Sequence, residues 1–438
     1  MGVLIMAAQL LLGLGLLVFI HELGHFLAAR AFGIRVEKFY IFFDFNGWKL
    51  WSKTIGDTEY GIGWFPLGGY VKISGMVDES MDKSFQTTEP QPWEFRSKPT
   101  WQRFIVMVGG ITMNVILGIF IFAYWLLQFK KEYLPPESLK DGIYAYQLAR
   151  DNGLQTGDKI LEINGKPVQR SIDLMSLKVF FGAKLKIDRH GEIVEVDLPD
   201  DLFQKFKTAK DMFITTENFP FTVDSVVSEE AIKAGLQAGD RIISFNDEPV
   251  ESFGEMRELT VANAKKTANL RIVRGSDTLG ISAPVSEFGT IGFTHAPSPN
   301  PYEHKKYTLA NAFYFGAKDG WEAIYFNAVG LGKIATRQVS ASDSVQSPIA
   351  IAQIYGPVWD WNRFWYLTGL ISFILAFMNL LPIPALDGGH VMFIIYEVIR
   401  GKPVSDKFLE RAQVVGMVLL LTLMTFAFGN DLYKIFFK

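Results

Sequence analysis

Long uncharged stretches alternate with polar ones along the chain and predict four membrane-spanning helices. Residues 1–20 carry no charge, and the apolar character resumes after His25. The other uncharged runs cover residues 104–127, 366–386 and 412–428. Each run approaches the ~20 residues that a helix needs to cross a ~30 Å hydrocarbon core. We therefore predict spans within residues 1–29, 104–129, 364–396 and 412–430.

The first run could instead be a secretory signal peptide. Such peptides begin with a basic region, whereas the first Lys or Arg of this chain is Arg30. Cleavage at Ala28-Ala29 would also discard the histidines of the motif described below. We therefore expect a retained transmembrane helix.

Basic residues at the ends of the spans predict their orientation. The two ends of the loop 30–103 carry Arg30, Arg35, Lys38, Arg96, Lys98 and Arg103. The loop 397–411 contains Arg400, Lys402, Lys407 and Arg411. By the positive-inside rule these loops are cytoplasmic, and both termini lie on the other side with the polar block 130–300. Lys130 and Lys131 weigh against this orientation.

The polar block contains an internal repeat. Gly153-Leu-Gln-Thr-Gly-Asp-Lys-Ile recurs as Gly235-Leu-Gln-Ala-Gly-Asp-Arg-Ile, and Asn164-Gly-Lys-Pro-Val recurs as Asn246-Asp-Glu-Pro-Val. This pattern predicts a turn, a strand and a tight turn in each copy. We assign the two copies to small β-rich domains at 130–215 and 216–300.

The second copy resembles PDZ domains, and the first is a looser match. The resemblance implies a groove in which a peptide end adds a strand to a sheet edge. Gly289-Thr-Ile-Gly-Phe293 is similar to the carboxylate-binding loop of a permuted PDZ domain. The alternative is that both domains are spacers or steric filters without a ligand.

Apolar residues recur at helical spacing in the segment 301–350. They are Ala310, Phe313, Tyr314, Ala317, Trp321, Ile324, Tyr325, Ala328 and Leu331. The pattern predicts an amphipathic helix that lies on the membrane surface or against the core helices. The other interpretation is the buried face of a soluble helix.

Composition narrows the possible chemistry. The 438 residues carry a net charge of −3, so the charge balance gives no reason to expect nucleic acid as a partner. The chain has no cysteine, which excludes disulfides, Cys-ligated zinc and thiol nucleophiles. Any metal site must therefore use His, Asp and Glu.

His21-Glu22-Leu-Gly-His25 follows directly on the first apolar run. On a helix, residues i and i+4 share a face, so both imidazoles can bind one zinc ion with Glu22 beside them as general base. Ionisable groups at membrane depth are costly and indicate a functional site. A catalytic zinc also needs a third protein ligand.

Two residues near the third span are candidates for that ligand. Asp387 is an acidic residue at the apolar end of a helix that Pro382 and Pro384 must break or kink. His390 competes with it, because imidazole is a good zinc donor. Spacing alone leaves both open.

The two motifs together resemble the site-2 protease family of intramembrane zinc metalloproteases. The second motif reads Asn379-Leu-Leu-Pro-Ile-Pro-Ala-Leu-Asp387-Gly-Gly-His390. With the PDZ-like pair between the second and third spans, the chain is similar to the bacterial branch of the regulator-of-sigma-E proteases. The resemblance implies that His21, His25 and Asp387 bind Zn²⁺, that Glu22 activates water, and that His390 is a neighbour of the site.

The same resemblance implies a substrate-binding surface. Residues 61–72 are similar to the family's membrane-associated β-hairpin, whose edge strand pairs with an extended substrate. The residues assigned to substrate contact are Asn379, Pro382, Pro384, Asn114, Gly68, Gly69, Tyr70 and Val71. The expected fold is a four-helix transmembrane metalloprotease core with this β-hairpin and two PDZ-like domains.

Three segments depart from the family pattern. Gly110-Ile-Thr-Met-Asn114 lacks a proline, Ser347-Pro-Ile-Ala-Ile-Ala352 begins with serine, and Phe42-Phe-Asp44 replaces a glycine-rich turn. We expect these departures to alter helix bending and loop geometry rather than the metal site.

The sequence thus predicts a multi-pass protease of the bacterial inner membrane with its PDZ-like domains and both termini in the periplasm. It hydrolyses a peptide bond within or near the transmembrane segment of single-span proteins. The resemblance suggests anti-sigma factors or remnant signal peptides as substrates, cut after a first protease has acted. The rival hypotheses are a membrane metal transporter and a catalytically inactive PDZ scaffold. No G-x-S-x-G signature supports a serine protease.

Overall fold

The computed structural model describes residues 2–66, 68–76, 89–209, 212–296, 305–336 and 347–437. The chain forms two compact units. The first unit combines Met1–Lys131 with Tyr307–Lys438, and the second is Glu132–Lys306. The two motifs with candidate metal ligands both belong to the first unit.

The first unit is built mainly from helices. They are α1 (Gly2–Ala31), α2 (Thr100–Trp125), α8 (Leu309–Ala335), α9 (Pro348–Tyr355), α10 (Trp361–Leu380), α11 (Asp387–Arg400) and α12 (Asp406–Phe437). Among the described residues, four helices are long and apolar enough to cross a membrane: Gly2–Ala31, Thr100–Lys130, Trp361–Leu380 and Lys407–Asp431. This number agrees with the four predicted spans.

The third predicted span is shorter as a helix than its hydrophobic pattern suggests. Helix α10 ends at Leu380, and the chain leaves helical geometry over residues 381–386 before α11 begins at Asp387. Pro382 and Pro384 lie in this break, where a helical N–H would be missing at each position. The prediction that the prolines interrupt the helix is therefore confirmed.

Close helix packing in this unit depends on glycine and on buried polar contacts. An added methyl group at Gly118 would lie 2.7 Å from the Phe373 ring, and one at Gly369 would lie 2.5 Å from the Phe122 ring. Ser372 donates a hydrogen bond of 2.7 Å to the backbone oxygen of Asn114. These contacts hold α2 and α10 side by side.

A four-stranded sheet follows α1. Its strands are β1 (Val36–Ile41), β2 (Lys49–Ile55), β3 (Thr58–Gly63) and β4 (Tyr70–Ile73), in the order β2-β3-β1-β4. Strand β1 pairs in parallel with β3 and antiparallel with β4. The prediction of a hairpin over residues 61–72 is wrong, because β1 lies between the two strands concerned. The hairpin is formed by β2 and β3, and β4 is an edge strand.

Helix α8 confirms a helix in the predicted amphipathic segment but shows a different packed face. The buried residues are Ala312, Phe315, Gly316, Gly320 and Phe326. An added methyl at Gly320 would meet the Phe373 ring of α10. Tyr314, Trp321 and Tyr325 of the predicted stripe are more than half exposed. Residues 301–304 and 337–346 of the segment lie outside the described residues.

The second unit contains two similarly built halves. Its strands are β5 (Glu132–Tyr133), β6 (Tyr144–Ala145), β7 (Lys159–Ile163), β8 (Lys166–Pro167), β9 (Lys184–Arg189), β10 (Glu192–Asp197), β11 (Ile214–Thr215), β12 (Val223–Val226), β13 (Arg241–Phe245), β14 (Glu248–Pro249), β15 (Thr267–Arg274), β16 (Asp277–Pro284), β17 (Phe293–His295) and β18 (Lys305–Lys306). Its helices are α3 (Gln147–Asp151), α4 (Leu177–Phe180), α5 (Leu202–Ala209), α6 (Glu229–Lys233) and α7 (Phe253–Ala262).

The sheets of the two halves have the same topology. The order β10-β9-β7-β8 corresponds to β14-β13-β15-β16 read in the opposite direction. Each half also has a separate two-stranded sheet, formed by β6 and β11 in the first half and by β12 and β17 in the second. The predicted turn, strand and tight turn are present in both copies, with positive φ at Asn164 and Asn246. The internal repeat is therefore a repeat of structure.

An ion pair recurs at the same place in both copies. Asp158 accepts from Arg189 at 2.8 Å, and Asp240 accepts from Arg274 at 2.7 Å. Burial alone would raise the pKa of Asp240, but hydrogen bonds from Arg274 and from the backbone N–H of Gln237 hold it below its usual value. The aspartate of the repeated Gly-Asp pair thus stabilises the turn that leads into β7 in the first copy and into β13 in the second.

Candidate metal centre and active site

Helix α1 brings two imidazoles and one carboxylate to the same region of the first unit. His21 and His25 are one turn apart, as the motif predicts, and their rings meet edge to face with centroids 4.9 Å apart. His25 is only 6% exposed. Glu22 lines the same cavity as Val71 of strand β4.

Asp387 completes a cluster of three ligand atoms at the start of α11. Its Oδ2 lies 3.2 Å from Nε2 of His21 and 3.3 Å from Nε2 of His25. The two Nε2 atoms lie 3.3 Å apart. Ala385, two residues before Asp387, has a φ of +89°, which L residues rarely adopt. The break between α10 and α11 thus orients the carboxylate towards α1.

These three atoms fit a zinc ion. A tetrahedral zinc site with bonds of about 2.0–2.2 Å places its ligand atoms roughly 3.3–3.6 Å apart. The Oδ2 atom of Asp387 is buried and has no hydrogen-bond partner among the described residues. Such an unpaired buried carboxylate oxygen is costly unless a cation completes its environment. His390 lies near the cluster but does not supply one of its atoms.

Further polar groups orient the two histidines. Nδ1 of His25 lies 2.8 Å from the backbone oxygen of Val106. The amide of Asn114 lies 3.3 Å from Nδ1 of His21, and the amide of Asn379 lies 3.3 Å from Nε2 of the same ring. Donation from Nδ1 of His25 to the backbone oxygen of Val106 leaves the lone pair of its Nε2 free for a metal.

Glycines allow α1 and α2 to approach closely enough for this arrangement. An added methyl at Gly24 would lie 2.3 Å from the backbone oxygen of Gly109. At Gly110 it would lie 2.4 Å from Nε2 of His25 and 2.6 Å from Cε1 of His21. The histidine rings therefore pack directly on the backbone of α2. Sequence analysis assigned no role to Gly24 or Gly110, although small residues at helix contacts are the usual signal.

The cluster opens into a cavity of about 360 Å³. The predicted site residues that line it are His21, Glu22, His25, Asp387, Asn379, Asn114, Gly68, Gly69, Tyr70 and Val71. Pro382 and Pro384 do not line it, and Pro382 is exposed. The prediction that these prolines contact substrate therefore gains no support from the cavity; their place is in the break that orients Asp387.

The three departures from the family pattern have local explanations. Helix α2 continues through Ile111 without interruption. Ser347 caps α9 by accepting from the N–H of Ile349 at 3.1 Å. Asp44 accepts from the Tyr70 hydroxyl at 2.8 Å, and the Phe43 ring packs on Gly68 and Tyr70. The turn at residues 42–44 therefore supports the cavity wall that leads into β4.

Comparison with known proteins agrees with this site. The model of peptidase family M50 matches residues 9–423. The chain is 30% identical over 460 residues to the regulator of sigma-E protease RseP of Escherichia coli K12, with 98% of each chain covered. A protein of Vibrio cholerae described as a putative zinc metalloprotease is 28% identical over 460 residues, covering 97% of this chain and 98% of the other.

A further protein described as a putative zinc metalloprotease, from Nostoc, is 27% identical over 423 residues and covers 94% of this chain.

The helical unit and its ligand cluster define a membrane-type zinc metalloprotease. The match along nearly the whole sequence shows that the chain belongs to peptidase family M50, the site-2 proteases. The predicted resemblance is thereby confirmed.

The contact between Gly110 and the histidines yields a testable prediction. The methyl group of Gly110→Ala must displace the imidazole rings or separate α1 from α2. We expect zinc affinity to fall by about ten- to hundredfold, as for other changes that disturb ligand orientation. Titration against a competing chelator measures it. The matched control is Gly330→Ala, where an added methyl has no neighbour within 4 Å; equal affinity in both variants would contradict the packing argument.

Proposed function

We propose that this protein is an intramembrane zinc endopeptidase that cuts single-span membrane proteins within or near their transmembrane segment. The observation that carries the proposal is the convergence of His21, His25 and Asp387, with Glu22 beside them, in a unit with four candidate membrane spans. Membrane-anchored anti-sigma factors and remnant signal peptides, already trimmed by another protease, are the proposed substrates. The name of the E. coli relative supports the first class.

The roles of the residues follow from their positions. His21, His25 and Asp387 hold Zn²⁺, which when bound supplies Lewis acidity to the water and to the scissile carbonyl. Glu22 accepts a proton from the attacking water and delivers it to the leaving amide nitrogen as the C–N bond breaks. Asn114, whose amide nitrogen lies 3.3 Å from Nδ1 of His21, helps to orient that ring.

The substrate segment must be extended when it is cut, because a helix hides its peptide bonds in internal hydrogen bonds. Strand β4 is an edge strand of its sheet in the described part of the chain, and its Val71 lines the cavity together with Glu22. We propose that the substrate adds as a strand along residues 68–71. Asn379, whose amide lies next to His21, contacts the substrate backbone near the cleaved bond.

The two repeats are proposed to be PDZ-like domains in the periplasm that screen substrates by size. The second repeat is the better candidate for binding a peptide end. In the first repeat, helix α5 lies between β10 and β11, and the centroids of its Phe206 ring and of the Phe180 ring are 4.8 Å apart. The corresponding connection in the second repeat is the short loop 285–292 with Gly289 and Gly292.

Purified protein in detergent should cleave a labelled single-span substrate, and a zinc chelator should abolish cleavage. In Glu22→Gln the amide cannot take a proton from water, so we expect zinc to stay bound while turnover falls by about a hundred- to ten-thousandfold, the usual contribution of a general base. Metal analysis and product quantification measure the two effects. Turnover near the wild-type rate would remove Glu22 from the role of base.

The third ligand is tested by a pair of substitutions. Asp387→Ala removes one of three converging atoms, so we expect loss of both zinc and activity. His390→Ala should leave zinc bound, since no atom of His390 joins the cluster. Zinc content of the two purified variants gives the answer. Zinc loss in His390→Ala together with retention in Asp387→Ala would show that the imidazole is the ligand.

Removing the repeats tests the proposed size screen. Strands β5 and β18 pair Tyr133 with Lys305, so the two ends of the second unit lie side by side. A short Gly-Ser linker can therefore replace residues 135–303. We expect this variant to keep its zinc and to cleave a full-length substrate that the intact protein leaves uncut. The same deletion carrying Glu22→Gln is the control, and failure to cleave the untrimmed substrate while trimmed substrate is still cut would exclude a screening role.

A further inference from the structure

Gln413 of helix α12 is a buried polar residue without an assigned role. Its side chain is 4% exposed and lines the same cavity as the metal-ligand cluster. Among the residues that the structure describes, Gln413 has no hydrogen-bond partner. The atoms of its amide keep some accessible surface, since they are not among the fully enclosed unpaired atoms.

A carboxamide in this position needs a partner. The run 412–428 that contains Gln413 has no charged residue. Its two threonines, Thr422 and Thr425, donate to backbone oxygens of their own helix at 2.7 and 2.8 Å. Burying an amide without a hydrogen bond is costly. A polar group at membrane depth that lacks an internal partner therefore indicates a functional contact.

The packing of α12 places Gln413 beside the segment that carries Asp387. Gly416, three residues further along α12, faces the break between α10 and α11, and an added methyl there would overlap the backbone oxygen of Pro384. The cavity wall at this point includes Ala385, Leu386 and Gln413. Gln413 thus lies about one helical turn from a close backbone contact with the segment that leads to Asp387.

We propose that Gln413 binds the backbone of the substrate strand in the cavity. Its amide can donate to a peptide carbonyl and accept from a peptide N–H, which is the pairing that an unwound membrane segment lacks. Gln413 would then supply one wall of a backbone-binding channel, with the edge of β4 and Asn379 supplying others. The inference rests on the proposed proteolytic function and adds to it the residue from the fourth span that recognises substrate.

The test separates backbone recognition from zinc binding. Gln413→Met keeps the length of the side chain and removes its hydrogen-bonding groups. Two inhibitors are used as probes: acetohydroxamate, which reaches only the metal, and a peptidyl hydroxamate with an extended backbone. We expect Gln413→Met to keep its zinc content and its affinity for acetohydroxamate, and to bind the peptidyl hydroxamate about tenfold more weakly. The KM for a single-span substrate should rise by a similar factor.

The control is Thr422→Val on the same helix, which removes an exposed hydroxyl that donates to the backbone oxygen of Val418. It should bind both hydroxamates as the wild type does. Gln413→Asn, which retains the amide at shorter reach, should recover part of the peptidyl affinity. Equal loss of both probes in Gln413→Met, or no loss of either, would overturn the role of Gln413. If the wild-type protein binds neither probe nor cleaves substrate, the proposed protease function itself fails.

Discussion

The structure depends on gathering three ionisable side chains from two helices inside an apolar bundle. His21 and His25 come from one helix and Asp387 from another, with ligand atoms 3.2–3.3 Å apart. Without a cation, Oδ2 of Asp387 would stay buried with no hydrogen-bond partner among the described residues, which is costly. The close packing of α1 on α2 through Gly24 and Gly110, and the broken helix before Asp387, both serve this single convergence.

Much of this architecture is predictable because membranes impose simple rules on sequence. The four spans follow from uncharged runs, and the ligand pair on α1 follows from helical spacing. The choice of Asp387 over His390 does not follow from spacing, because it depends on the geometry of residues 381–386 and on the positive φ of Ala385. The repeat can be recognised in the sequence for a related reason. Asn164 and Asn246 adopt positive φ, a conformation that suits few residue types.

Other features required long-range contacts that no local pattern contains. The strand order places β1 between β3 and β4, so residues 61–72 flank a third strand instead of pairing with each other. Helix α8 is apolar on more than one side, and its pattern alone could not show that Phe315 packs inward while Trp321 stays exposed. The Phe43 ring packs on Gly68 and Tyr70, and Asp44 accepts a hydrogen bond from the Tyr70 hydroxyl. These contacts stabilise the turn at residues 42–44, where the family pattern has a glycine-rich turn.

The cavity contains more than hydrolysis alone would require. The proposed zinc ligands and base are His21, Glu22, His25 and Asp387, yet the same space is also bordered by strand β4 and by Asn379 and Gln413. A peptide that leaves its helix within a bilayer loses hydrogen bonds that lipid cannot replace. Neutral amides and a strand edge can replace them without adding charge to the apolar interior. We therefore propose that the polar groups around the cluster stabilise the unwound substrate segment, so that the first unit itself recognises the substrate.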